Sequence, residues 1–375
     1  MPIPQVEICP VVGERDLHRF VLLPWKIYRG DPNWVPPLIG DTKNMLRPAK
    51  HPFHLHADVA LFLAQRMGEP VGRIAAIVNH RHNEFQGEQT GFFGFFESAN
   101  DPAVSGALLE AAARWVAERG MERLRGPASF STNEECAMLV DGFDSPPCVM
   151  MPYNPSYYPT LLEAAGFAKA KDLVAYHVTS DNMLTERLHR FSAHLQYHEH
   201  VDIRPIDKSH IEEEVNRFRS VYNQAWERNW GFVPMTDEEI AHMAKSLKSV
   251  MEPELVLFLE KEGTPIGFAM ALPDVNYALR HANGRLFPFG LLKILYHARR
   301  IHKIRVLVLG LLKEYRGRGL DILLYLQLYR NGLRKGFNEG EFSWILEDNN
   351  AIRRPLERIG ARVYKTYRFY ERPVP

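Results

Sequence analysis

The apolar run VLVL (306–309) shows no polar alternation, which predicts a central strand covered on both faces. After Gly319, LDILLYLQL opens almost wholly apolar and predicts a helix packed on a sheet along much of its surface. Lys335 and Gly336 supply that helix with a last-turn cation and a C-terminal glycine. Two further segments, VALFLAQRMGEPVGRIAAI (59–77) and LVLFLEKEGTPIGFAMAL (255–272), place β-branched and aromatic residues either side of a Gly/Pro turn. Both predict β-hairpins.

These hairpins belong to a duplication. VEICPV (6–11) is echoed by VDIRPI (201–206), each reading as a short strand ended by proline. LLEAAGFAKAKDLVAY (161–176) parallels PLERIGARVYKTYRFY (355–370), where a helix stops at glycine and a strand follows. The offset is about one domain length, far beyond the ~20–50-residue period of a solenoid. Each copy reads as strand, one or two helices, hairpin, strand, helix, strand, helix, strand. The fold class expected is mixed α/β, with two tandem domains at 1–180 and 201–375 joined by a polar, His-rich linker at 181–200.

Composition narrows the function classes. The net charge of +1 gives no whole-protein field to recruit nucleic acid or an anionic membrane. Cys9, Cys136 and Cys148 form no CxxC pair, so a reducing, cytoplasmic compartment is expected. The first residues lack a basic segment followed by a long apolar core, and no apolar run reaches the ~18 residues of a membrane span, so a soluble protein without a signal peptide is expected. The pairs His54/His56, His80/His82 and His198/His200 would each set two imidazoles on one strand face, but no third ligand stands at a fixed spacing and no metal is expected. RGPASFSTNEECAMLVDGFDSPP (125–147) carries Ser129 and Cys136 without a nucleophile elbow, and reads as a long loop filling the first copy's cleft. HANGRLFPFGLLKILYHARRIHKIR (281–305) reads as an insertion, apolar first and basic second, whose part from Gly284 to His302 is expected to act as a lid; an interfacial membrane helix is the other reading.

The candidate chemistry sits in LKEYRGRGL (312–320), between the central strand and the apolar helix. A nucleotide P-loop would need Gly-Lys-Ser/Thr, and here Leu320 and Asp321 follow Gly319. A dinucleotide fingerprint would need a third glycine where Ile322 stands. The plain alternative is a turn that uses glycine only for its backbone angles. With its context, the stretch resembles the pyrophosphate loop of the GNAT acyl-CoA N-acyltransferases, with Arg316 and Gly319 at the fixed positions and Asp321 in place of the last small residue. FSWILEDNNAIRRPLERIGARVYKTYRFYE resembles that family's next strand, its Asn-headed helix, which places Asn349 or Asn350 at the asparagine, and its final strands. The first copy has SANDP where the loop would be.

The resemblance implies two tandem GNAT-like domains, each a mostly antiparallel sheet flanked by helices, with one acyl-CoA site in the second. It implies binding by Leu309, Leu311, Arg316, Gly317, Arg318, Gly319, Leu320, Asp321 and Asn350, with Leu311 N–H, beyond a suspected bulge at Gly310, polarising the thioester. Glu347 is the expected general base. Tyr364 is the substitute acid, because Leu356 stands where the family has its tyrosine. The acceptor pocket would include AWERNWGF (225–232). The expected activity is N-acylation of a primary amine, with acetyl-CoA the default donor. A non-catalytic CoA-binding scaffold and a tandem peptidyltransferase using aminoacyl-tRNA are the alternatives; the neutral charge speaks against the latter. Oligomeric state is left open.

Overall fold

The computed structural model describes residues 5–180, 186–226 and 229–374. The chain begins with β1 (Glu7–Pro10), α1 (Gly13–Ile27), α2 (Ile39–Leu46) and the hairpin β2 (Ala57–Arg66) and β3 (Glu69–Asn79). It continues through α3 (His80–Gln86), β4 (Thr90–Ser98), α4 (Pro102–Ala117) and β5 (Arg123–Gly126). Short strands β6 (Ala128–Ser129), β7 (Glu135–Cys136) and β8 (Met138–Asp141) precede α5 (Tyr158–Ala164) and β9 (Ala168–Thr179). The second half runs α6 (Glu186–Glu199), β10 (Val201–Pro205), α7 (Ile211–Ala225) and α8 (Asp237–Leu247). The hairpin β11 (Val256–Lys261) and β12 (Thr264–Pro273) leads to α9 (Asn276–Leu279) and α10 (Gly290–Ala298). Then come β13 (Lys303–Leu311), α11 (Leu320–Arg334), β14 (Glu339–Leu346), α12 (Asn350–Arg358) and β15 (Arg362–Pro373). The fold is mixed α/β, its strand pairs mostly antiparallel.

The chain forms two compact units that are not contiguous in sequence. One takes residues up to Leu173, then Ala278–His297 and Lys365–Pro375; the other takes Val174–Tyr277 and Ala298–Tyr364. The final strand therefore serves the first unit, where β15 runs antiparallel to β5 from Tyr370↔Gly126 to Pro373↔Arg123. The polar stretch expected to be a linker carries α6, whose Leu195 packs on the core of the second unit; residues 181–185 lie outside the described ones.

In the second unit the strand order is β9-β14-β13-β12-β11-β10. The two-residue period of a strand sends alternate side chains to opposite faces. Leu257 and Leu259 join the core under α11, while Val256 and Phe258 join the one under α7 and α8. On β13 the alternation is interrupted. Ile304 and Val306 face the α11 core, the register with β12 slips between Val306 and Val308, and thereafter Leu309 and Leu311 face that core instead. The extra residue is Leu307, so the bulge lies three residues before the suspected Gly310. Gly310 is glycine for another reason: a Cβ there would meet the Trp226 ring at 2.4 Å.

None of the paired histidines lies on a strand. His54 is in a 3₁₀ turn opened by Pro52, with His56 just past it; His80 and His82 open α3, capped by Asn79 Oδ1 accepting from His82 N–H at 3.1 Å; His198 ends α6 before His200. Among the described residues no group of three or more His, Cys, Asp or Glu side chains is arranged to hold a metal, and no helix is long and apolar enough to cross a membrane.

Candidate functional site

The site begins where β13 and β14 part. Their parallel pairing runs from Lys303↔Glu339 to Val306↔Phe342, and Leu307–Leu311 and Ser343–Leu346 continue beyond it as strand. Leu312 N–H donates to Ile266 O at 2.9 Å across to β12. Antiparallel pairs alternate between residues that exchange bonds and residues that turn their polar groups away. Leu309 and Leu311 are of the second kind, so their N–H and C=O groups turn from β12 toward the fork. Arg316 Nε reaches back to Leu311 O at 3.0 Å, from the fork side.

At the fork's end the chain turns into α11. Gly317 (φ +74°) and Gly319 (φ +79°) sit in the left-handed region that side chains avoid, and a Cβ at Gly317 would meet nothing within 4 Å. Backbone shape therefore requires these glycines, which lead into the start of α11, the kind of helix end that attracts an anion. Leu320 is buried beneath it. Arg316 also donates to Ala225 O at 2.5 Å, tying the loop to the end of α7, and Arg318 pairs with Glu199 of α6 at 2.5 Å. Asp321 is mostly buried; burial pushes its carboxyl up, opposed by the N–H groups of Asp321 itself and Ile322, which it faces. An acidic side chain therefore already stands at this helix start.

Trp226 closes the opposite face of β13. Its ring lies on Gly310 and stacks on Tyr222 at 4.9 Å, with Phe232 beyond at 5.7 Å from Tyr222. Glu227 and Arg228 of the expected pocket lie outside the described residues.

No protein-family model matches the chain. A bacterial ceramide synthase of Caulobacter vibrioides is 37% identical over 374 residues, covering 98% of this chain and 97% of that protein. Protein YghO of Escherichia coli is 35% identical over 370 residues, covering 97% and 94%. The chain belongs to their family. The tandem GNAT protein from the clavulanic acid biosynthesis pathway superposes with a TM-score of 0.60 at 12% identity, over 99% of each chain. A GCN5-related N-acetyltransferase from Sphaerobacter thermophilus gives 0.55 at 14%, over 98% of this chain and 96% of that one. In fold the protein is a tandem GNAT protein, as the loop and its context lead one to expect.

The first unit builds the matching fork and then fills it. β4 and β5 pair only from Thr90↔Arg123 to Phe92↔Arg125. Beyond that, Phe95 N–H donates to Ser129 Oγ at 3.0 Å, and a Cβ on Gly94 would meet Ala128 O at 1.9 Å. The helix after this fork has no glycine cradle: Asp101 caps α4 by accepting from Ala103 N–H at 2.8 Å and pairs with Arg66 at 2.6 Å.

In the second unit the sequence-derived residues divide between the two ends of β14. Glu347, half-buried, follows the strand at the open end, and Arg353 donates to its backbone carbonyl. Asn350 is exposed as the first residue of α12. Tyr364 is elsewhere: its hydroxyl donates to Glu341, and Lys303 Nζ donates to that hydroxyl at 3.3 Å. Glu341 and Glu347 are separated by roughly 20 Å of extended strand, so Tyr364 and Glu347 are not brought together.

A cluster that motif reasoning misses lies at the fork's vertex. Glu341 is fully buried, with Lys303 Nζ at 3.6 Å and Arg305 Nε at 3.9 Å. Arg305 donates to Ser343 Oγ at 2.8 Å and to Ser343 O at 3.2 Å, and Ser343 Oγ donates to Glu341. Burial pushes the Glu341 carboxyl up, but the Lys303 and Arg305 charges and the bonds from Ser343 and Tyr364 reverse this and hold it below its ordinary value. The sequence carried a signal: Lys303 and Arg305 on one strand, and Glu339, Glu341 and Ser343 on its neighbour, stand at every second position. A polar stripe of that period on two apolar strands marks one shared face.

Proposed function

We propose that the protein joins a long-chain acyl group, carried as a CoA thioester, to the primary amine of a long-chain amino alcohol, giving a ceramide-type amide. The full-length 37% identity to a bacterial ceramide synthase carries the substrate class. The open fork of the second unit, set against the filled one of the first, is what favours a single acyl-CoA site there. A pocket under α11 is lined by Val306, Leu328 and Phe342 at the paired end of the strands, away from the open fork. The acetyl default gives way to a longer chain in this reading.

The CoA pyrophosphate would lie on the N–H groups after Gly317 and Gly319, with Leu320 fixing the helix start and Asn350 near the arm. Leu309 and Leu311 would offer backbone groups to the amide-bearing pantetheine arm, as one strand edge does to another. Leu311 N–H would polarise the thioester carbonyl. An alkylamine is mostly protonated at neutral pH, so Glu347 would take a proton before attack. The nitrogen then forms the C–N bond, the C–S bond breaks and the thiolate leaves unaided, while the second nitrogen proton passes to that thiolate or to water, giving the neutral amide and free CoA thiol. Tyr364 acts in this scheme only by holding Glu341.

The test is amide formation followed by mass spectrometry, with thiol release read in parallel. Palmitoyl-CoA with sphinganine or 3-ketosphinganine should give the N-acyl product with one thiol per amide, and acetyl-CoA should be a poor donor. Thiol release that ignores the amine, or acylation confined to short donors and small amines, would overturn the reading.

A further inference from the structure

We infer that the segment Arg285–His297, which carries most of α10, is a docking surface for an anionic lipid bilayer. Its helix is turned the wrong way round for a folded protein. At about 100° per residue, Leu291, Leu292, Leu295 and Tyr296 share one arc of roughly 140°, with Lys293 at its edge. A globular protein buries such an arc. Here it faces out: Leu292 is 64%, Leu295 57% and Tyr296 57% exposed, and in the turn before them Phe287 is 79% and Phe289 66% exposed. The inward side is Gly290, Ile294 and His297, with His297 stacked on His281 at 3.6 Å and 10°.

The segment is held firmly in this pose. Gly284 (φ +74°) lies so close to Trp25 that a Cβ would meet the ring at 2.4 Å, and its carbonyl accepts from Ile39 N–H at 3.0 Å. Trp25 Nε1–H donates to Asn283 Oδ1 at 2.9 Å. The apolar face is therefore presented by an anchored support.

Charge selects the occupant. From Val275 to Lys313 the chain contains no Asp or Glu, although the whole protein is balanced at +1. Arg280, Arg285 and Lys293 are exposed in the same unit's stretch of chain as the apolar residues. Bulky apolar side chains flanked by cations, with no acid among them, match the acyl–headgroup boundary of an anionic leaflet. A second copy of the same surface would bring the cations together, which disfavours self-association. This inference does not rest on the acyl-transfer reading.

Sedimentation of the full chain with vesicles tests it, using phosphatidylcholine alone and with phosphatidylglycerol added. Binding is expected with the anionic vesicles and should weaken as salt rises. Phe287→Ser with Leu292→Ser should lower it by about tenfold or more with an unchanged melting curve. Failure of the wild type to sediment, or equal binding by the variant, overturns the proposal. So does a wild-type dimer that this variant makes monomeric without any vesicle binding. If the double variant does not fold, Leu295→Trp replaces it: quenching by brominated lipid beyond that of the wild type is expected, and its absence overturns the proposal.

Discussion

Replacing Asp321 by asparagine should tighten CoA binding. The carboxylate faces the Asp321 and Ile322 N–H groups at the start of α11, next to the N–H groups of Arg318 and Leu320 assigned above to the pyrophosphate. An anion at a partly buried helix N-terminus gains up to ~2 kcal/mol, and a second anion must share that field. Two unit charges ~6 Å apart at an effective dielectric near 20 repel by roughly 3 kcal/mol before ions screen them. Part of this is already relieved, because burial raises the Asp321 pKa and lets the group take up a proton as ligand approaches. A net gain of about 1–2 kcal/mol remains, or ~5- to 30-fold in Kd. Asparagine keeps an acceptor for the same N–H groups. Calorimetry with dephospho-CoA removes the 3′-phosphate, whose own titration near ~6 would confuse the pH series. Wild-type affinity should rise as pH falls through the raised Asp321 pKa, and the variant should lose that slope. The same shift governs stability: Asp321's contribution is full below its unfolded pKa and lost as pH rises through the folded one, so the variant should gain on the wild type toward neutral pH. Equal affinities with parallel pH profiles would mean that the carboxylate is only a cap, turned off the ligand's path.

Calorimetry should find one CoA site per chain, abolished by Gly319→Glu, since the first unit's fork is filled; two sites would refute the assignment. Glu347→Gln should lower amide formation by ~10²–10⁴-fold if Glu347 is the base, and a loss under threefold with an unchanged pH–rate profile would remove it from the scheme. Gly310→Ala should cost about 1–3 kcal/mol, because the new Cβ meets Trp226; Trp226→Ala in the same chain should recover part of that in a double-mutant cycle. Glu88, held at about 2 first by the His82 bond and then by the Arg125 charge and the Thr90 bond, should contribute stability above its unfolded pKa that is lost as pH falls toward 2. Solvent on its exposed flank screens this to about 1 kcal/mol, and Glu88→Gln should flatten that acid limb of the melting curve. Glu341→Gln should destabilise by about 3 kcal/mol or more by leaving Lys303 and Arg305 buried without their anion, and a change under 1 kcal/mol would show the cluster to be hydrated.

The local elements were legible because their signals are local. Both hairpins, the αL glycines Gly166 and Gly360 and the apolar start of α11 stand where periodicity and turn chemistry put them. Partner choice was not legible. Nothing in RVYKTYRFY says that its strand will pair with β5, because strand patterning specifies faces and not neighbours. The bulge was misplaced for a related reason: Gly310 looked like a break in the strand, whereas its missing side chain makes room for Trp226, a contact from the end of α7. α6 was passed over because its His-rich composition reads as linker, although Leu188, Phe191 and Leu195 stand at helical spacing in the sequence. In the candidate site, the loop glycines declared themselves through positions that need φ > 0, whereas the bonds of Arg316 to Leu311 O and Ala225 O and of Arg318 to Glu199 join segments far apart in sequence.

The buried cluster gives those observations a common cause. Two parallel strands with apolar side chains have every reason to stay paired, yet β13 and β14 separate after Val306 and Phe342. Arg305, on the last paired turn of β13, bonds both the hydroxyl and the carbonyl of Ser343, the first residue of β14 past the pairing. A guanidinium thus takes a carbonyl at the point where the ladder stops. Glu341 neutralises that guanidinium, and Tyr364 and Lys303 satisfy Glu341 in turn. On the other strand the extra residue Leu307 rotates the remainder of β13, so that Leu309 and Leu311 put their side chains under α11 and their backbone groups into the gap. The charge buried at Glu341 is costly in a sheet core. Its proposed effect is to keep the strand ends apart at the place assigned above to the thioester arm, where Leu311 O is held by Arg316.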